Sequence, residues 1–113
     1  MIYRMRTYVA IPDRVDDFTQ FFLEHLYPPQ RDHGARLVGR WLTEDGRMVA
    51  VFEYDDRAHF ERVDAAVRAD PRAAAAQARR EELGPLFEGY DEVFMRSTVP
   101  PGIGFVWGPE EAG

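Results

Sequence analysis

The chain has 113 residues, 45% of them hydrophobic and 13% aromatic, which is typical of one globular domain with a packed core. Acidic residues outnumber basic residues 20 to 14, and the formal net charge of -6 argues against a general nucleic-acid-binding surface. Cysteine is absent, which excludes disulfides, thiolate zinc sites, iron-sulfur clusters and cysteine nucleophiles. No run approaches the ~18 apolar residues of a membrane span, so we expect a cytoplasmic protein without membrane or nucleic-acid partners.

The first third of the chain predicts a strand and a helix. Residues 1–10 alternate between two sets of side chains with a period of two, which is typical of a strand. After a turn at Pro12, apolar residues such as Phe18 and Phe22 recur at helical spacing. Pro28-Pro29 is expected to end this first helix.

The middle of the chain predicts a hairpin. Two runs rich in β-forming residues, 36–43 and 48–54, flank Asp45-Gly46, a strong hairpin turn signal. These runs are predicted to be the second and third strands.

The second half predicts two helices and a last strand. Asp55-Asp56 provides an N-cap for the first of these helices, and Asp70-Pro71 has the pattern of an N-cap followed by proline at the first helical position. The second helix is expected to run towards Phe87 and to end at Gly89. Residues 90–98 then read as the fourth strand.

The element order βαββαβ predicts an α+β domain with a ferredoxin-like antiparallel sheet over residues 1–98. Residues 99–113 form a Pro/Gly-rich C-terminal tail that carries Phe105 and Trp107. The tail either closes over a pocket, packs on a partner subunit, docks onto a larger partner or has no fixed structure.

Several segments in a fixed order resemble the NIPSNAP family. They are the strand 2–8, the stretch 29–34, the run 37–46, Tyr54-Asp55-Asp56 and Asp70-Pro71, so the resemblance covers roughly residues 1 to 98. That family is similar to the dimeric α+β barrel proteins, in which two ferredoxin-like subunits pack sheet to sheet. The resemblance therefore implies a homodimer. It implies no single chemistry.

The strand residues divide by type into two faces, if the apolar side of each strand is shared. The face expected beneath the helices consists of Tyr3, Met5, Thr7, Val9, Leu37, Gly39, Trp41, Met48, Ala50, Phe52, Tyr54, Val93 and Met95. The other face combines apolar Val38, Leu42, Val49, Val51 and Phe94 with Arg4, Arg6, Tyr8, Arg40, Glu53 and Arg96. It is too apolar for water and too charged for a core, which favours a partner sheet packed across it.

An aromatic pocket between helix and sheet is the first candidate site. His25 lies on the apolar stripe of the first helix and is the candidate proton carrier, or else a core histidine. Tyr3 and Tyr54 are candidate donors to an oxyanion. The candidate ring-binding residues, which plain core packing would also explain, are Trp41, Phe22, Phe52 and Tyr27.

A cationic patch is the second candidate. Arg6, Tyr8, Arg40 and Arg96 would suit a carboxylate, phosphate or enolate, or would form salt bridges across the dimer with Glu53 or Glu92. The three histidines fit no metal motif, so neither a metal nor a cofactor is expected.

Two functions remain open. One is a small-molecule enzyme of the cofactor-independent dimeric α+β barrel type, a monooxygenase, cyclase or isomerase acting in biosynthesis on an aromatic or polyketide-like compound. The other is a non-catalytic homodimeric module for ligand binding or interaction.

Overall fold

The computed structural model describes residues 1–100 and contains four strands in one antiparallel sheet, with all helices on one side. The strands are β1 (Ile2–Ala10), β2 (Arg36–Leu42), β3 (Arg47–Tyr54) and β4 (Phe87–Met95). They lie in the order β2-β3-β1-β4. The predicted ferredoxin-like α+β fold is thus confirmed.

The first crossover is longer than the sequence indicates. A 3₁₀ turn at Pro12–Arg14 leads into α1 (Val15–Phe21), a π-helical turn (Phe22–Leu26) and α2 (Tyr27–Asp32). The prediction that the two prolines of α2 end the helix is wrong. They occupy the first turn of α2, directly after the π-helical turn, where a missing N–H costs little.

The second crossover consists of α3 (Arg57–Ala69) and α4 (Arg72–Leu83), as predicted. The Asp56 carboxylate accepts a hydrogen bond from the His59 amide at 2.7 Å, and Asp70 accepts one from the Arg72 amide at 2.8 Å. Both aspartates therefore satisfy free N–H groups at helix starts.

The end of α4 differs from the prediction. Gly84, with φ of +73°, ends the helix before Pro85, so Gly89 lies within a strand. Glycine adopts this left-handed conformation without the steric cost of a Cβ. β4 consequently begins at Phe87 instead of Tyr90.

Two apolar clusters join the helices to the sheet. The first contains Tyr8, Phe18, Phe21, Met48, Ala76 and Leu86, and the second contains Phe22, Ala35, Phe52, Tyr54 and Val63. Every second residue of β3, from Met48 to Tyr54, is buried beneath the helices. Within residues 1–100, no helix combines the length and apolarity needed to cross a bilayer.

The register of β1 corrects the predicted faces. Arg4, Arg6 and Tyr8 lie directly opposite Phe52, Ala50 and Met48, so they share the face beneath the helices. The assumption that the more apolar side of β1 faces the helices is therefore wrong. Arg40, Leu42 and Phe94, predicted on the other face, also lie on the helix side, because they pair with Ala50, Met48 and Arg4.

The face away from the helices, which we call the open face, is mostly apolar. Its uncharged residues are Tyr3, Met5, Thr7, Val9, Gly39, Trp41, Val49, Val51, Val93 and Met95, and its charged residues are Arg36, Arg47, Glu53 and Asp91. Of these, Tyr3, Met5, Thr7, Val9, Gly39, Trp41, Val93 and Met95 were predicted to lie beneath the helices. Trp41 is 51% exposed, and its ring covers Gly39, where any side chain would collide with it.

Candidate functional site

A cavity between the first helical segments and the sheet lies where the two apolar clusters meet. Its volume is about 80 Å³, and it opens to solvent at its mouth. The π-helical turn contributes Phe22 and Leu26 to its wall, and such turns occur frequently at functional sites. The lining residues are Arg4, Arg6, Tyr8, Phe18, Phe22, Leu26, Gln30, Arg40, Ala50 and Phe52.

Two of the three arginines in this cavity share one carboxylate. The Arg6 Nε atom donates to Glu92 Oε1 at 2.8 Å, and Arg4 Nη1 donates to the same oxygen at 3.3 Å. Arg4 is only 6% exposed and also lies 5.8 Å from the ring centroid of Phe52. Glu92 comes from β4, so the ion pairs connect neighbouring strands on the helix side.

Arg40 has a different environment. Its Cζ atom lies 4.8 Å from the ring centroid of Phe18 and 4.9 Å from that of Phe22, which are cation-π contacts. Its Nη1 atom donates to Thr19 Oγ1 at 2.7 Å, and within residues 1–100 it forms no ion pair with a carboxylate. Burial lowers the pKa of the Arg40 guanidinium, and the nearby Tyr8 offsets part of this effect. An arginine nevertheless stays charged at neutral pH.

Three buried polar atoms near the cavity have no hydrogen-bond partner among the described residues. They are Arg4 Nε, Arg40 Nη2 and the Tyr54 hydroxyl. Buried donors are almost always paired in folded proteins, with protein, water or ligand, because leaving one unpaired costs about 1–3 kcal/mol. The two guanidinium atoms belong to residues that line the cavity.

The cavity wall also contains the Tyr8 hydroxyl. Arg6 Nη1 donates a hydrogen bond to it at 3.5 Å. The ring itself is packed edge-on against Phe18 and Phe87, with centroids 5.1 and 4.8 Å away. The cavity thus combines aromatic walls, a hydroxyl and fixed positive charge.

Of the predicted ring-binding residues, Phe22 and Phe52 line the cavity, whereas Trp41 and Tyr27 do not. Trp41 lies on the open face, and Tyr27 stacks on Phe22 from outside at 6.1 Å. Of the predicted cationic patch, Arg6, Tyr8 and Arg40 meet in the cavity, while Arg96 is exposed beyond the end of β4.

The three predicted proton-transfer residues lie elsewhere. His25 lines grooves beside α4, and not the helix–sheet cavity towards which the helical periodicity points it. Tyr3 donates to Glu53 at 2.9 Å on the open face, and this hydrogen bond raises its pKa. Tyr54 is fully buried under α3 beside Phe60, and burial raises its pKa.

Sequence reasoning missed five residues of the cavity wall, Arg4, Phe18, Leu26, Gln30 and Ala50. Glu92, an expected partner of the arginines, pairs with Arg4 and Arg6 within one chain. Glu92 and Phe94 are two positions apart in β4, and Arg4 and Arg6 are two positions apart in β1, so each pair lies on one face of its strand. This spacing indicates that Glu92 and the arginines pair across the two strands. Within residues 1–100, no group of three His, Asp or Glu side chains is arranged to hold a metal.

The solved structures with similar folds include proteins close to this chain in size. An uncharacterised NIPSNAP domain protein from Burkholderia xenovorans is 26% identical, with a TM-score of 0.73 over 91% of this chain and 97% of that one. Protein Atu4242 from Agrobacterium tumefaciens is 20% identical, with a TM-score of 0.75 over 89% and 98%. None of the curated proteins matches the sequence.

A more distant likeness extends to an enzyme. A structure described as an antibiotic biosynthesis monooxygenase is 15% identical, with a TM-score of 0.57 over 88% of this chain and all of that one. At this identity the likeness shows a shared fold. The sequence model of the NIPSNAP family matches residues 3–98, close to the predicted domain. This chain therefore belongs to the NIPSNAP family.

Proposed function

We propose that this protein is a cofactor-independent enzyme that binds an aromatic or polyketide-like compound in the helix–sheet cavity. The observation that carries the proposal is the placement of the Tyr8 hydroxyl and the Arg6 and Arg40 guanidinium groups among the rings of Phe18 and Phe22. Apolar walls with a few convergent polar groups are typical of small-molecule sites. The fold shared with an antibiotic biosynthesis monooxygenase is consistent with this chemistry.

The chemistry follows from the charges in the cavity. Cofactor-independent monooxygenation, cyclisation and isomerisation share a first step, in which a phenol or an acidic carbon loses a proton and leaves a negative oxygen. The Arg6 and Arg40 groups stabilise that oxygen, the Tyr8 hydroxyl donates a hydrogen bond to it, and water at the open mouth of the cavity takes the proton. In a monooxygenation, dioxygen is the additional reactant. His25, which does not line the cavity, is not needed for this step.

A non-catalytic binding module is the second candidate, and one observation favours it. Tyr8 is only 9% exposed and belongs to the core cluster with Phe18 and Met48. Its hydroxyl and Arg6 would then serve to fix the sheet and to complete a binding cavity, with no proton transfer.

Native mass spectrometry of the purified protein, followed by analysis of any released compound, tests for an occupied cavity. With a released compound as substrate, Tyr8→Phe is expected to lower kcat by about 100-fold or more, because one hydrogen-bond donor to a developing oxyanion contributes on that scale. Tyr90→Phe is the control, since Tyr90 lies opposite Tyr8 on β4 and is 52% exposed. Unchanged turnover in Tyr8→Phe would remove this residue from the mechanism, and binding without turnover would favour the module.

We also propose that the open face packs against the same face of a second copy. Trp41, Val93 and Met95 are each more than a third exposed there, beside Met5 and Val51. The Tyr3 hydroxyl and the charged Glu53 and Arg36, joined by hydrogen bonds, lie at one end of this face, which suits the polar rim of an interface.

Light scattering tests the homodimer. The protein is expected at twice the 13.0 kDa chain mass at micromolar concentration, and Trp41→Glu is expected at the chain mass, because burying an unpaired carboxylate opposes association. Leu23→Glu, a change at a 54% exposed leucine on the helix side, is the control that should keep the dimer. A monomeric wild-type protein would contradict the proposal.

A further inference from the structure

We propose that the helix–sheet cavity recognises a carboxylate group on its aromatic ligand, and that Arg40 is the residue that binds it. The inference rests on the proposed use of the cavity and specifies the class of ligand, an aryl carboxylate. Three independent observations support it: the charge balance of the cavity, its unpaired donors and the geometry of Arg40.

The cavity carries excess positive charge in an acidic protein. Arg4, Arg6 and Arg40 line it, and Glu92 is the one carboxylate with which these arginines pair among residues 1–100. The chain as a whole has a formal charge of -6, so this local excess is opposite to the general trend. Charges removed from water are normally paired, which indicates that a bound anion balances the excess positive charge of these arginines.

Two guanidinium nitrogens in the described part of the chain have no hydrogen-bond partner. Arg40 Nη2 and Arg4 Nε are out of contact with solvent and form no hydrogen bond with any residue in the described range 1–100. The Arg4 residue as a whole is more than nine-tenths buried. An anion bound in the cavity would offset the cost of these unpaired donors by charge attraction.

The position of Arg40 favours a flat anion. Phe18 and Phe22 contact the guanidinium, and Thr19 accepts from its Nη1 atom, so its orientation is fixed. A fixed guanidinium matches the planar geometry of a carboxylate. The phenylalanine rings, together with Phe52, form an apolar wall suited to the ring of an aryl carboxylate.

Binding of 2-naphthoate, 2-naphthamide and 2-naphthyl phosphate to the full chain, measured by calorimetry, tests the inference. The wild-type protein is expected to bind the acid about 30-fold more tightly than the amide, the scale of a hydrogen bond to a charged group. In Arg40→Met the acid-to-amide ratio is expected to fall to about 1. In Arg40→Lys it should be partly restored, because lysine keeps the positive charge but cannot bind both carboxylate oxygens as a guanidinium does.

Arg36→Met is the matched control. Arg36 lies on the same strand as Arg40 but pairs with Glu53 away from the cavity, so the acid-to-amide ratio should stay unchanged. A thermal melt separates recognition from a structural role. Arg40→Met is expected to melt at or above the wild-type temperature, because it removes a poorly paired buried charge.

Each outcome has a defined meaning. Equal binding of acid and amide by the wild-type protein would leave the cavity as a ligand site and overturn carboxylate recognition. Tight binding of the phosphate ester without a preference for the acid over the amide would also overturn it, in favour of a phosphate. No binding of any of the three at about 1 mM would count against both the carboxylate and the proposed use of the cavity.

Discussion

Glu92→Gln is expected to lower the free energy of unfolding by about 2 to 3 kcal/mol at neutral pH, because it leaves the guanidinium of a buried arginine without its carboxylate. Glu92 is the carboxylate that both Arg4 and Arg6 contact, and its side chain is 32% exposed. Urea unfolding monitored by circular dichroism measures the effect. Glu88→Gln, a change at an exposed glutamate of the same strand, is the control and should alter stability by less than about 0.5 kcal/mol.

The pH dependence of this effect follows from the pKa of Glu92. Burial pushes that pKa up, but the hydrogen bonds and charges of Arg6 and Arg4 outweigh burial, so it lies below its usual value. A carboxyl group with a lowered folded pKa stabilises the protein above its unfolded pKa of about 4.3. This contribution is lost as the pH falls further, towards the folded pKa. The stability difference between wild type and Glu92→Gln should therefore narrow below about pH 4, and a difference that persists there would contradict the ion-pair explanation.

Phe18→Ala is expected to cost about 3 to 4 kcal/mol of unfolding free energy, because it opens a cavity in the core that the neighbouring rings cannot fill. Phe18 is 2% exposed and packs against Tyr8 and Phe87, with ring centroids 5.1 and 5.2 Å away. It also supports the guanidinium of Arg40 at 4.8 Å. The variant should therefore lose carboxylate discrimination together with stability.

Thermal and urea unfolding of two further variants complete this test. Leu23→Ala changes an apolar residue next to α1 that is 54% exposed, so its stability should stay within about 0.5 kcal/mol of wild type. Phe18→Leu keeps much of the buried volume and should cost less than Phe18→Ala, about 1 to 2 kcal/mol. Equal losses in Phe18→Ala and Leu23→Ala would show that the Phe18 ring is not part of the core.

The local signals in the sequence were reliable because each depends on only a few neighbouring residues. Asp45-Gly46 turns the hairpin between β2 and β3, and Asp56 and Asp70 bond the first turns of α3 and α4. The expectation that Met48, Ala50, Phe52 and Tyr54 lie beneath the helices is confirmed, since all four are buried. The element order that follows from these signals was sufficient for the fold class.

Local patterns failed where two signals compete. Gly84 and Gly89 are both plausible helix ends, and the structure uses Gly84, before Pro85. Pro28-Pro29 resembles a helix end but begins a new turn of helix after the π-helical turn. Both ambiguities concern boundaries, which leaves the topology unchanged.

The two sides of β1 posed a harder problem. One side carries Met5 and Val9, which look like core residues, and the other carries Arg4 and Arg6, which look like surface residues. The structure buries the arginine side, because cross-strand pairing with Phe52 and Ala50 fixes the face and Glu92 compensates part of the charge. A prediction based on polarity alone therefore assigns the two sides of β1 to the wrong faces of the sheet.

The sequence by itself determined the family, the order of the strands and helices and the caps and turns that join them, because these depend on contacts between residues close in the chain. Only the tertiary structure decided where the site lies. Arg4 and Glu92 are 88 residues apart, and Arg40 reaches the same cavity from another strand. Register across all four strands brings these charges beneath α1, and no local pattern encodes that register.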